Sequence, residues 1–284
     1  MKRLLPALLA LTLLALTLLS GCGARETASS LPETSPAQQI SAPAVVTEGR
    51  EPEEDDDLSA ALDGFSEWMH NSTLDQNSVG LLAELPEQDV ALYGVRDHRG
   101  DDRALLRWED SLAEFDWNFG GPLIVEPRLW CWDVDDDGQD EVVLVNHVGS
   151  GTGVSIEELH IVEKNEDGTL ADYAFPEELW RDQLSALLTL VKGNNRVWVS
   201  LGRELVDITS QLPENLEPET LRGLGTGNVA GFDTDWPRGA DIRFSGSVCL
   251  DADGYNSWYV ADISAYVSYA GGVFTLSDLH LNSN

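Results

Sequence analysis

Apolar and polar residues alternate along the last third of this chain. Apolar side chains occupy every second position through most of 242–250 and 259–269, and the residues between them are largely polar. Successive side chains of a strand point to opposite faces, so this spacing predicts strands with one buried face. Gly271 and Gly272 predict a turn into a further strand over 273–281. Half-buried strands of this kind are typical of antiparallel sheets.

Shorter strand patterns precede this region, at 90–95, 103–108, 129–133, 141–147, 156–163, 196–201 and 204–208. A helix is predicted after Pro176, with acidic residues in its first turn and an apolar face that continues to Val191. A shorter amphipathic helix is predicted over 58–70. The sequence therefore predicts a mainly β or α+β domain over 58–284. It has antiparallel sheets and one or two helices, as one body or as two sub-sheets divided near 176–192.

The first 22 residues have the pattern of an export signal. Lys2 and Arg3 precede an almost wholly apolar segment, and Leu19-Ser20-Gly21-Cys22 closes it. The apolar segment has about 16 residues, fewer than the roughly 20 that a membrane-spanning helix needs. The last four residues resemble the lipobox of bacterial lipoproteins. That resemblance implies removal of residues 1–21, a lipid on Cys22, and a lipid-anchored position on the extracytoplasmic face of the cell membrane.

The segment from 22 to 57 is rich in Ala, Ser, Thr, Pro, Glu and Gln, and it ends in an acidic run over 51–57. Such a composition offers little apolar surface to offset the entropy lost on ordering. The sequence therefore predicts a disordered acidic tether between the lipidated cysteine and the domain.

The net charge limits the partners. Without residues 1–21 the chain has 15 basic and 50 acidic residues, a formal charge of −35. Such an excess repels nucleic acid and anionic headgroups, so nucleic acid is excluded and membrane contact is expected through the lipid at Cys22. An extracellular ligand, a glycan or a protein remains as the partner class. The nine tryptophans are compatible with sugar stacking, but core packing is the favoured interpretation.

Alternating carboxylates occur over 133–141, namely Asp133, Asp135, Asp137 and Glu141. Gly138 permits a sharp turn among them. Calcium takes six to eight oxygen ligands, and alternating carboxylates followed by glycine can wrap a loop around it. An EF-hand is not expected, because its twelfth position is Leu144 here and the flanking segments are strand-like. The alternative is a solvated acidic hairpin without metal.

This strand–loop–strand segment resembles the calcium loops of FG-GAP and VCBS-type repeats, whose pattern is D-x-D-x-D-G-x-x-D followed by an apolar strand. The resemblance implies a structural calcium ion with these ligands: Asp133, Asp135, Asp137, Glu141 and the carbonyl of Gln139. A second copy is at best truncated, at 251–254, so a complete propeller is not expected. The wider segment 130–162 resembles a module of exported lipoproteins of Gram-positive anaerobes, which supplies context and no mechanism.

Catalytic motifs are weak by comparison. The chain lacks a G-x-S-x-G elbow, and His147 and His160, on neighbouring predicted strands, are the one suggestive pair. The predicted function is therefore a non-enzymatic surface binding or interaction module. A cell-envelope hydrolase and an accessory subunit of a membrane complex are the alternatives. Cys131 and Cys249 form a disulfide or remain two buried thiols.

Overall fold

In the computed structural model, the described residues are 39–53, 56–70, 78–96, 102–119, 125–235, 241–252 and 258–283. The predicted signal and Cys22 lie outside them. The described chain is mainly β with two α-helices, as predicted from the period-two alternation. Its strands form three sheets and no propeller.

The strands are β1 (Gln39–Pro43), β2 (Val45–Glu48), β3 (Leu62–Asp63), β4 (Ser78–Leu85), β5 (Val90–Arg96), β6 (Asp102–Trp108), β7 (Ser111–Phe115), β8 (Arg128–Trp132), β9 (Glu141–Gly151), β10 (Val154–Lys164), β11 (Leu170–Phe175), β12 (Leu188–Gly193), β13 (Arg196–Leu201), β14 (Glu204–Asp207), β15 (Gly223–Thr234), β16 (Ile242–Asp251), β17 (Tyr259–Ala270) and β18 (Val273–Ser283). The helices are α1 (Phe65–His70) and α2 (Glu177–Leu187), with short 3-10 turns at Leu58–Ala60, Thr209–Gln211 and Pro218–Thr220.

The largest sheet has ten strands. Its main path is β1-β18-β17-β16-β15-β10-β11-β2, while β9 pairs with β10 and β8 pairs with β9. The second sheet has the order β3-β4-β5-β6-β7 and the third the order β12-β13-β14. Pairing is antiparallel except between β3 and β4 and between β10 and β15. The predicted antiparallel arrangement therefore holds for most of the described strands.

Residues 39–48 join the two ends of the large sheet. β1 pairs with β18, β2 pairs with β11, and the amide of Ala44 between them donates to the carbonyl of Gly272 at 2.8 Å. The prediction of a disordered tether over 22–57 is therefore wrong for its described part, from residue 39 onwards. The composition of this segment did not predict its order, because a segment that forms main-chain hydrogen bonds with the edges of other strands can be ordered with few apolar side chains.

Ion pairs hold the acidic run that follows. Arg50 lies 2.6 Å from Glu114 and 2.5 Å from Asp116, measured between guanidinium nitrogen and carboxylate oxygen. Arg103 pairs with Glu114 and lies 3.2 Å from Asp56, whose side chain is 2% exposed. Ion pairs with residues distant in the sequence thus order a segment that its own composition predicts to be solvated.

Three other predictions of element boundaries need correction. Helix α2 ends at Leu187, and the next six residues form β12 against β13, because Leu188 and Val191 find cross-strand partners there. The ten-stranded sheet takes strands from both sides of α2, so the division into two sub-sheets near 176–192 does not occur. The helix predicted over 58–70 is shorter than expected. It begins only at Phe65, as α1, because the φ of 82° at Gly64 is not helical.

The hydrophobic core has two main parts, one on each face of β9 and β10. Val143, Val145, Leu159 and Ile161 belong to one cluster, and Val142, Leu144 and Val162 belong to the other. Both described cysteines, Cys131 and Cys249, are free and buried, which decides between the two alternatives in favour of separate thiols.

Trp68 of α1 lies in a slot formed by glycines. It is fully buried, and its indole nitrogen donates to the carbonyl of Ser78 at 3.1 Å. Gly80 and Gly94 are cross-strand partners beneath the ring. A Cβ at Gly80 would lie 2.6 Å from the Trp68 side chain, and one at Gly94 would lie 2.8 Å from it. Helix α1 can therefore pack against the five-stranded sheet in this way only because residues 80 and 94 have no side chains.

Gly94→Ala is expected to lower the free energy of unfolding by about 1–3 kcal/mol, because the added methyl group must displace a packed indole. Gly225→Ala is the matched control: its Cβ would meet the nearest atom at 3.6 Å, an ordinary contact. Chemical denaturation of both variants measures the difference. Equal midpoints for Gly94→Ala and the wild type would show that the slot is not tight.

Candidate metal centre

The acidic loop closes the β8–β9 hairpin. Trp132, the last residue of β8, pairs with Glu141, the first residue of β9. Both strand ends are buried, with Trp132 and Glu141 3% and 4% exposed. The two ends of the loop are therefore held by packed strands.

Carboxylates of the loop shape its backbone. Asp133 accepts hydrogen bonds from the amides of Asp137 at 3.1 Å and Gly138 at 3.0 Å. Asp136 and Gly138 have φ values of 62° and 93°, in the left-handed region. Gly138 is thus needed for conformational reasons, as its place in the sequence pattern predicted.

Three of the predicted ligands converge. Asp133, Asp135 and Glu141 each place one carboxylate oxygen within 4.8 Å of the others. Asp137 lies outside this group, and its carboxylate accepts from the amide of Gln139 at 2.8 Å and from its side chain at 3.3 Å. Ligation by Asp137 and by the carbonyl of Gln139 stays a prediction.

The charge of Glu141 is poorly compensated. Burial raises its pKa to about 7, and the negative charges of Asp135, Asp137 and Asp133 act in the same direction. The amide of Val134, which donates to Glu141 at 2.7 Å, opposes the shift. A divalent cation among these carboxylates would remove the repulsion, and the all-oxygen donor set suits calcium.

A cleft of about 560 Å³ adjoins the loop. Its lining carboxylates are Glu87, Glu109, Asp137, Asp140, Glu141 and Glu163. Lys164 brings a positive charge to the cleft, but its ammonium group lies 2.8 Å from Glu109 and 5.8 Å from the ring centre of Trp108. Burial raises the pKa of the Cys131 thiol in the wall to about 12, so the thiol is neutral and is not an activated nucleophile.

The two histidines flagged by sequence do not meet. His160 is paired with Leu144 across β9 and β10, three positions from His147, so the two side chains point to opposite faces. His147 contacts the hydroxyl of Ser150. Among the described residues, His160 and His280 are the histidines that form ion pairs with carboxylates. In that part of the chain, His147 therefore has no carboxylate that would complete a catalytic triad with Ser150.

His160 belongs instead to a buried polar group that sequence reasoning missed. Its Nδ1 lies 3.0 Å from Asp172 Oδ2, and the indole nitrogen of Trp117 donates to the same oxygen at 2.7 Å. Its Nε2 lies 3.9 Å from Glu158. The available signal was Asp172 itself, a carboxylate within a short apolar strand.

The group gives His160 a shifted pKa. Burial lowers it, but the charge of Asp172, the hydrogen bond to Asp172 and the charge of Glu158 together outweigh burial and raise it. The folded state thus favours the protonated ring. The resulting stability is fully present below about pH 6.5, the unfolded value, and is lost as the pH rises through the folded value.

His160→Gln is accordingly expected to lower the free energy of unfolding by at least about 2 kcal/mol at pH 6, with a smaller loss at pH 9. His280→Gln removes an exposed pair with Glu204 and should cost less than about 1 kcal/mol at both values. Urea denaturation at the two pH values tests this. A loss for His160→Gln that does not vary with pH would contradict the assigned protonation.

Within the part of the chain that the structure describes, neither helix is long and apolar enough to cross a membrane. Comparisons with protein-family models, with curated proteins and with solved structures find no match for this chain.

Proposed function

We propose that this chain is an exported protein, anchored through a lipid on Cys22, whose β-rich domain binds calcium and acts as a non-enzymatic binding module. The domain lies at the extracytoplasmic face of the cell membrane. Calcium binds at Asp133, Asp135 and Glu141 and has a structural role. The observation that carries the calcium site is the convergence of these three carboxylates at the end of a packed hairpin.

The donor chemistry favours calcium over other common metals. All three side chains offer hard oxygen ligands, and Asp135 and Asp133 are half-buried, which leaves room for water and backbone carbonyls in the coordination sphere. Zinc and copper prefer nitrogen or sulfur ligands, and magnesium demands a more rigid octahedron. Calcium tolerates the irregular arrangement of a short loop.

A bound ion would act on the neighbouring cleft. Asp137, Gln139 and Glu141 belong both to the loop and to the cleft wall. Neutralising the repulsion among the loop carboxylates would fix that wall and the two strands that the loop joins, so part of the binding free energy would become folding free energy. This link supports a binding role for the cleft, whose acidic lining suits a ligand that carries positive charge.

Calcium is expected to raise the melting temperature of the domain. Extracellular modules bind calcium with Kd values of about 10⁻⁴–10⁻³ M, so an excess of ten to a hundred Kd adds about 1.4–2.7 kcal/mol. For a domain of this size the increase corresponds to roughly 3–10 °C. Differential scanning calorimetry in calcium and in chelator measures it, with magnesium as the comparison ion.

Asp135→Asn and Glu141→Gln should abolish the calcium-dependent increase. Asp136→Asn is the matched control, because it removes the same charge from the same loop, lies outside the converging group, and keeps a residue that tolerates positive φ. Loss of the calcium effect in Asp136→Asn as well would indicate diffuse attraction to an acidic loop rather than a defined site.

Lipidation is tested at the cysteine. In a bacterial host, the wild type is expected to incorporate an alkyne-labelled fatty acid and to begin at Cys22 by mass spectrometry, whereas Cys22→Ser should incorporate none. Cys131→Ser, which removes a buried thiol of the domain, should label like the wild type. Labelling of Cys22→Ser at the wild-type level would refute the anchor while leaving the calcium site untouched.

A further inference from the structure

We propose that residues 39–48, here called the N-terminal strap, detach from the folded domain, and that the strand edges so exposed accept the strap of a second copy of this chain. The strap comprises β1, Ala44 and β2. The exchange yields a strand-swapped dimer with the same contacts as the monomer. It is independent of the calcium site.

Topology makes the strap separable. β1 covers the edge of β18, and β2 covers the edge of β11. The strap therefore supplies the first and the last strand of the main sheet path and no strand inside it. Its removal would break no pairing between the other strands. The two edges would then present free main-chain groups, which is the arrangement that an added extended strand recognises.

Side-chain burial holds the strap weakly. Of its ten residues, seven are exposed and only Ala42 is buried. Val45 and Val46 are 46% and 51% exposed, although both are apolar. Ile40 and Ala44 are half-buried against the core. The strap is therefore held mainly by main-chain hydrogen bonds. Segments held in this way can open without global unfolding.

The chain immediately after the strap is held firmly. The amide of Gly49 donates to the carbonyl of Leu170 at 2.8 Å, and a Cβ at Gly49 would lie 2.6 Å from that of Ala113. Arg50 then pairs with Glu114 and Asp116. The contrast places a hinge at residues 48 and 49, so that the strap can swing away while the remaining sheet stays assembled.

A second copy is the occupant that fits these edges. The strap matches them residue by residue: Ser41 lies opposite Thr275, with their hydroxyl oxygens 2.8 Å apart, and Ala44 donates to Gly272. An identical segment from another chain restores every one of these contacts, which makes exchange a low-cost route to a dimer. The acidic charge of each copy opposes approach, so added salt should speed the exchange.

Cross-linking between separately labelled chains tests the exchange. Mature chains carrying Cys22→Ser are made with Ser41→Cys in one tagged form and Thr275→Cys in another, then mixed under mild oxidation. A disulfide-linked heterodimer containing both tags is expected. Ser245→Cys with Ser264→Cys is the matched control, since these serines are also cross-strand partners, one exposed and one half-buried, between two strands inside the sheet.

Hydrogen exchange gives the second measurement. Strap amides should exchange at least about 100-fold faster than those of β16, because they open locally. Ser41→Cys/Thr275→Cys in one chain, once oxidised, should remove this difference and prevent the heterodimer. Protection of the strap equal to that of β16, or a heterodimer no more abundant than that of the control pair, would overturn the proposal.

Discussion

The two-sided burial of β9 and β10 is the constraint on which the other parts of this structure depend. Alternate residues of β9 enter different clusters: Val143 and Val145 pack into one, and Val142 and Leu144 into the other. The five-stranded sheet contributes to one cluster, and the C-terminal strands and α2 contribute to the other. Because β9 begins at Glu141, this packing also fixes one wall of the acidic loop. The packing buries Glu141, whereas the other carboxylates of the loop are half-buried or exposed.

Charge is handled in two different ways in this acidic chain. Around residues 50–56, buried carboxylates meet arginines, and the pairs hold an otherwise polar segment against β6 and β7. In the loop at 133–141, carboxylates meet each other and loop amides, and the pKa of Glu141 rises to about 7. The first arrangement is complete within the protein. A bound cation would stabilise the second arrangement, because a buried charge is stable only when an opposite charge or hydrogen bonds compensate it.

Local patterns identified most strands but not every boundary. The alternation over 242–250 and 259–269 predicted β16 and β17, and the β13–β14 hairpin lies where its turn residues placed it. The end of α2 was missed because leucines spaced for a helix face also suit a strand, and only the partner strand β13 decides between them. The strap was missed for a related reason: its order comes from edges that other parts of the chain provide.

By itself the sequence determined that the chain is mainly β and that carboxylates alternate around Gly138, because both properties follow from residue spacing. The tertiary structure alone decided which carboxylates meet, bringing Asp133, Asp135 and Glu141 together while Asp137 bonds within the loop. It also separated His147 from His160 and paired His160 with Asp172. These outcomes depend on strand register and on contacts between distant segments, which no local pattern contains.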